Sequence, residues 1–203
     1  GDAGAEDAAI VFDGNAQDYH IGLDDTADDL VIGLGSALGT TTHMAFDEAG
    51  IIRKPLQSSF RAFASGSTSL TSGSYIKVGF TNENYDTNAD YTTGTSRFTA
   101  PVDGRYLFCV NIMGVDGWGT TDAAYIIADL YVNNAHNCAI HRTKMDADYD
   151  FAELFDTWPI QGSAILKLDA SDYVEVFIYQ NSGSNLSMNY TTGYADWMGE
   201  LLG

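Results

Sequence analysis

The sequence predicts an all-β chain in two parts, and three observations carry that reading. Short runs rich in Val, Ile, Tyr, Phe and Thr recur along the chain, bounded by Gly, Asp, Asn and Ser. Within these runs apolar side chains alternate, which places them on one face of a strand. Helix signals are nearly absent. The exception is DYDFAELFDTWP, where Phe151, Leu154, Phe155 and Trp158 have helical spacing behind Asp150 and Glu153, placed as a capping box. A short helix competes with a strand there; the strand-like flanks and Trp158–Pro159 favour the strand.

The chain has 203 residues, of which 45% are apolar, enough to build a core rather than a disordered tail. No apolar run reaches the length of about eighteen residues that a membrane-spanning helix needs, so membrane insertion is not expected. The start, GDAGAEDAAI, has no Met, basic region or apolar signal segment, and reads as a processed product or an excised piece. Nine Lys plus Arg stand against 28 Asp plus Glu, a net charge of −19. Such a surface repels phosphate backbones and argues against nucleic acid as a partner. It serves solubility or, alternatively, divalent-cation binding. Cys109 and Cys138 are too few for a disulfide framework; buried free thiols are the first reading and one bridge the second.

Residues 1–57 form the first part. AAIVFDG, DYHIGL, DDLVIGLG, HMAFDEAG and GIIRKP are short, turn-punctuated pieces that alternate, as in Tyr19, Ile21 and Leu23. Pieces this short cannot enclose a core alone and need a partner surface. Eleven of the 28 acids fall here, against only Arg53 and Lys54. The part reads as an acidic, turn-rich β stalk or attachment segment.

Residues 58–203 carry longer strands with more aromatics. In YIIADLYV, Ile126, Ala128, Leu130 and Val132 share one face, with Tyr125, Ile127, Asp129 and Tyr131 on the other. In YVEVFIY, Val174, Val176 and Ile178 oppose Tyr173, Glu175, Phe177 and Tyr179. In RYLFCVNI, Tyr106, Phe108, Val110 and Ile112 oppose Arg105, Leu107, Cys109 and Asn111. A sandwich needs only one apolar face per strand. The second aromatic face makes Tyr125, Tyr131, Tyr173, Phe177 and Tyr179 candidates for contact with another subunit, against the alternative of ordinary exposed tyrosines.

From Phe80 the spacing becomes specific: five residues to Asp86, four to Tyr91, six to Phe98, five to Gly104, then Tyr106 and Phe108 at alternate positions. This resembles the signature of the globular head of complement component one-q, a family that shares its trimeric jelly roll with tumour necrosis factor. Val110 departs from it, standing where the family has Phe or Tyr. SSFRAFAS is similar to the family's opening strand, LKLDASDYVEVFI to its late acidic turn and strand, and YADWMGELLG to its closing strand. The resemblance covers Ser58 to Gly203. It implies a ten-stranded jelly-roll sandwich that forms a threefold trimer. No collagen repeat precedes this head. Instead DYHIGLDDTADDLVIGLGSALGTTTHMAFDEAG resembles turn-rich modules of bacteriophage tail-fibre and other virion proteins, and of some bacterial surface proteins.

Candidate chemistry is sparse. The histidines at 20, 43, 136 and 141 sit in no catalytic motif, and no nucleophile elbow, P-loop or dinucleotide fingerprint is present, so an enzyme is not expected. His136, Cys138 and His141 have irregular spacing and lack an evident fourth zinc ligand. Asp146, Asp148 and Asp150 in DADYD, with Asp116 and Asp122 in a second acidic loop, are candidate calcium ligands; a solvated loop is the alternative. No other cofactor is implied. Trp118 between two glycines, with Asn185 and Tyr190 in NSGSNLSMNYTTGY, are candidate ligand contacts, against local packing.

These readings converge on a non-enzymatic trimeric fibre or decoration protein on a bacteriophage virion, or otherwise extracellular. Its N-terminal segment would join other virion proteins, and its head would contact a host-surface glycan or protein. The rivals are a trimeric capsid or tail cement or cap protein without receptor binding, and a bacterial extracellular adhesin or filament subunit.

Overall fold

The computed structural model describes residues 6–116, 124–144, 158–190 and 195–203. Every regular element among the described residues is a strand, and none of them forms a helix long and apolar enough to cross a membrane. The chain divides into two compact units, Gly1–Gln57 and Ser58–Gly203.

The first unit is one antiparallel sheet in chain order: β1 (Ala8–Phe12), β2 (Tyr19–Asp24), β3 (Asp29–Leu34), β4 (Thr42–Phe46) and β5 (Ile52–Arg53). Directly paired residues share a face, so the register sorts the side chains. One face carries the rows Phe12–Tyr19–Leu34, Ile10–Ile21–Ile32–Met44 and Leu23–Leu30–Phe46–Ile52. Much of it is open: Ile10 is 64% exposed, Phe12 60%, Leu23 56% and Ile52 58%. The other face uses small residues and closes on itself. Val31, Ala45 and the His20 ring are buried. The ring fits because residue 33 is Gly; a Cβ there would come within 2.6 Å of His20 Nε2. Arg53 closes one edge by pairing with the buried carboxylate of Asp29 and, at 3.8 Å, with Asp47.

The second unit is a two-sheet sandwich of thirteen strands among the described residues: β6 (Ser59–Phe63), β7 (Gly66–Leu70), β8 (Tyr75–Lys77), β9 (Asn82–Asp86), β10 (Tyr91–Thr92), β11 (Arg97–Thr99), β12 (Gly104–Asp116), β13 (Tyr125–Val132), β14 (Ala135–Lys144), β15 (Trp158–Leu168), β16 (Tyr173–Gln180), β17 (Leu186–Tyr190) and β18 (Ala195–Leu201). One sheet has the order β7-β17-β12-β18-β6-β9, with β15 on the other edge of β12. The second has the order β10-β11-β16-β13-β14, with β8 also paired to β16. The sequence predicts ten strands. The higher count comes from the stretch between β6 and β12, where Gly66, Gly73, Ala89 and Ser96 take left-handed backbone angles and cut the chain into short pieces. Both cysteines are free and half-buried rather than fully buried, Cys109 on β12 and Cys138 on β14.

The core between the sheets is a stack of rings. Phe60 packs on Tyr91 at 4.8 Å, Phe98 at 5.1 Å and Trp197 at 5.0 Å between centroids, and Phe98 meets Phe108 at 5.4 Å. All seven positions of the Phe80–Phe108 signature lie in or beside it. Phe80, Phe98, Tyr106 and Phe108 are essentially inaccessible. The Tyr91 hydroxyl donates to the Phe80 carbonyl at 2.6 Å, and burial raises its pKa. Asp86 accepts the backbone N–H groups of Asp90 and Tyr91, fixing the turn into β10. Val110, the departure from the signature, is also a core residue, 2% exposed.

Gly199 on β18 is part of the same packing. A Cβ there would lie 2.8 Å from both Phe60 and Phe108. Gly199→Ala is therefore expected to destabilise the second unit by about 1–3 kcal/mol through overpacking, read as a lower denaturant midpoint. An unchanged midpoint would mean that the ring stack is not the rigid centre described here.

Candidate functional site

The alternation that fills the core sends every second residue of β13 and β16 outward. On this outer face Ile127 pairs with Tyr179, Asp129 with Phe177 and Tyr131 with Glu175. Strand β8 adds Tyr75 beside Tyr179 and Lys77 beside Phe177. The rings touch one another: Tyr131–Phe177 at 4.3 Å, Tyr75–Tyr179 at 4.9 Å, Tyr75–Tyr131 at 5.8 Å and Tyr125–Tyr179 at 5.9 Å. The five aromatics expected from the pattern therefore share one face. They are half-buried by each other and by two arginines, with Arg97 over the Tyr173 ring at 3.7 Å and Arg142 over the Tyr125 ring at 4.9 Å.

Two buried carboxylates sit in this face. Glu175 accepts from Lys77 and Arg97, at 2.6 and 3.0 Å, and is satisfied. Asp129 is not. It is 1% exposed, yet neither of its oxygens has a hydrogen bond of full geometry, and the Tyr75 hydroxyl is only a weak donor to it. The nearest basic group is the His136 ring, with Nε2 at 3.5 Å on a side chain that is half exposed. Burial holds the Asp129 carboxyl above the ordinary aspartate range, which charge on His136 opposes. Its charge in turn raises the hydroxyls of Tyr75 and Tyr131 and the Cys138 thiol, in each case after burial as the larger cause. A desolvated carboxylate with such weak partners costs stability, and groups of this kind are enriched at functional sites, which makes this face the candidate site.

The outer face of the other sheet differs. Leu107 on β12 lies between Ile165 on β15 and Glu200 on β18, and Cys109 lies between Ser163 and Met198. Ile165 is 59% exposed. This strip is an open apolar surface flanked by the Arg61–Asp196 ion pair.

The remaining sequence candidates are placed as follows. Trp118, Asp122, Asp146, Asp148 and Asp150 lie outside the described residues, as does the 150–157 stretch on which helix and strand competed. Asp116 ends β12 with its backbone paired to Ser187, and Tyr190 ends β17 with its backbone paired to Gly66. Asn185 is exposed in the turn before β17. Among the described residues no group of three His, Cys, Asp or Glu is placed to hold a metal. His141 bonds the Gln161 backbone and Thr143 rather than joining His136. Sequence reasoning assigned no role to Tyr75, Lys77, Arg97 or Asp129. The signal for Asp129 was present, an acid in the middle of an otherwise apolar and aromatic strand.

A family model described as the C1q domain matches residues 62–195, which is 134 of the 203 residues, and the chain belongs to that family. Solved structures with a similar fold include the globular domain of zebrafish complement 1qA at 18% identity, covering 72% of this chain and 98% of that one, with a TM-score of 0.48. Eiger TNF from S. frugiperda is 13% identical, with coverages of 72% and 92% and a TM-score of 0.49. Murine APRIL is 12% identical, with coverages of 72% and 99% and a TM-score of 0.48. No curated protein matches the chain.

The environment of Asp129 fixes the sign of a stability change. Its pKa is raised on folding, so its folded-state advantage is complete below the unfolded pKa and is lost as pH rises through the folded pKa. Above that point the fold carries a buried charge held only weakly by His136 and the Tyr75 hydroxyl, beside Tyr131 and Cys138. Asp129→Asn is expected to raise the melting temperature near neutral pH, by roughly 2–4 °C for each kcal/mol relieved. The gain should fade as pH falls toward about 4. A lower melting temperature at pH 7 would show that Asp129 is paired.

Proposed function

We propose that this C1q-domain chain is a non-enzymatic recognition protein that acts outside cells as a homotrimer, with the second unit as its head. The observation that carries the reading is the ring face of β8, β16 and β13, gathered over a carboxylate that costs stability. A face of this composition suits contact with a host-surface protein or glycan through stacking and charge. We assign the contact between subunits to the other sheet, at Leu107, Cys109, Met198 and Ile165. The aromatics expected to meet other subunits already cover one another, whereas Ile165 is the more open apolar side chain.

The finer setting is a bacteriophage virion, as a fibre or decoration held to other virion proteins by the first unit. What supports it is the first unit's single sheet with an uncovered apolar face, which further copies or virion proteins would bury. A cement or cap protein and a bacterial surface adhesin are the rivals. Genes for capsid or tail proteins beside this one support the virion setting; secretion genes support the adhesin.

Light scattering of the purified chain should give a mass near three times 21.9 kDa. Ile165→Glu should lower it toward one chain mass, because a charge would be desolvated at each contact. A wild-type monomer would overturn the trimer. Adding a calcium chelator to the same measurement tests Asp116, Asp122, Asp146, Asp148 and Asp150 as cation ligands: a loss of mass would make them structural cation sites, and no change would overturn that role.

A further inference from the structure

We propose that the ring face binds the guanidinium group of an arginine carried by a partner polypeptide, with Asp129 as its counter-charge. The inference rests on the reading of this face as the contact surface. The first support is Asp129 itself, buried with no donor at full hydrogen-bond geometry on either oxygen; the Tyr75 hydroxyl and the His136 ring, at 3.5 Å, are its weak polar neighbours. A guanidinium supplies two parallel N–H groups to one carboxylate, which is the missing complement.

The second support is the behaviour of the chain's own arginines. Arg97 and Arg142 each lie over a ring of this face, on Tyr173 and Tyr125, while no cation lies over Tyr75, Tyr131 or Phe177 among the described residues. Ring faces carry negative potential, and a flat guanidinium stacks on them better than a compact ammonium. The central rings therefore offer to a partner what the peripheral rings already take from within. Access is through Tyr75, whose side chain is 44% exposed on the three-residue strand β8 and covers the carboxylate.

The third support is the type of surface and its charge. This is a sheet face rather than a concave pocket, which suits a polypeptide, whereas small molecules prefer concave sites. A chain of net charge −19 also draws basic partners toward it.

The test uses the full chain and three short peptides, Gly-Arg-Gly, Gly-Lys-Gly and Gly-citrulline-Gly, with binding read by saturation-transfer NMR in about 150 mM salt. Citrulline keeps the shape of arginine without its charge. The expected result is saturation of the arginine side chain, with binding at least about fivefold weaker for lysine and citrulline. Asp129→Asn should weaken arginine binding about tenfold, and Tyr131→Leu should weaken it as well, since it keeps apolar bulk but removes a ring face. Glu83→Gln, which removes an exposed acid on β9, should leave binding unchanged. Equal binding of all three peptides, full binding by Asp129→Asn, or an equal loss in Glu83→Gln would each overturn the proposal. Light scattering on the same samples separates the two readings: lost binding in an intact trimer defeats this proposal alone, whereas a monomeric wild type defeats the assembly.

Discussion

The second unit depends on Phe60. Its ring stands between the two sheets and touches Tyr91 and Phe98 of one, and Phe108 and Trp197 of the other. A buried aromatic side chain is one of the larger single contributions to a core, about 3–5 kcal/mol on truncation. Because these rings come from five strands, their contacts fix register as well as stability. A slip by one residue on β12 would replace Tyr106 and Phe108 in the core with Arg105, Leu107 and Cys109, and put a charge where rings must be. Gly199 belongs to the same constraint, since the space its missing side chain leaves is filled by Phe60 and Phe108.

Once the core has claimed alternate residues, the others have to face outward, and here the two sheets diverge. The sheet containing β12 presents Leu107, Cys109, Ile165 and Met198, bordered by the charged side chains of Arg105, Lys167, Arg61 and Glu200. The sheet containing β16 presents rings that lean on one another, anchored at one end by the Lys77–Glu175–Arg97 cluster. That cluster satisfies a buried carboxylate with two cations on one oxygen, and buried Asp196 is satisfied by Arg61. Asp129, one strand away, has a single neutral-or-charged imidazole. Two buried carboxylates on neighbouring strands of one face are thus treated differently.

How much of this was legible in the sequence follows from what each feature depends on. The core was legible because period-two alternation and the spacing from Phe80 to Phe108 are local properties, and the structure buries those rings. The split at Gln57 shows in composition, in the change from short acidic pieces to long aromatic strands, and the contacts part the chain between Gln57 and Ser58. The number of strands was not legible, because it turns on left-handed angles at Ala89 and Ser96, residue types that ordinarily avoid them. Asp129 could be seen but not interpreted. Its burial needs Tyr75 from β8, and its one charged neighbour, His136, comes into range only through the pairing and bulges of β13 and β14. No spacing rule carries that information.

The first unit raises the question of why so much open apolar surface does not lead to indiscriminate aggregation. Its edges supply an answer. Strand β1 is exposed along its whole length, yet Glu6 and Asp7 precede it and Asp13 follows it. Like charges at the ends of an edge strand repel a second edge in line with it. At the other edge β5 has only two residues and runs into Lys54–Pro55, and a proline offers no N–H for a further strand. Edge-to-edge growth is therefore opposed at both sides, while the uncharged rows through Ile10, Leu23 and Phe46 stay open face-on. That combination favours association by faces over extension by edges, and face-on association can close into a finite assembly.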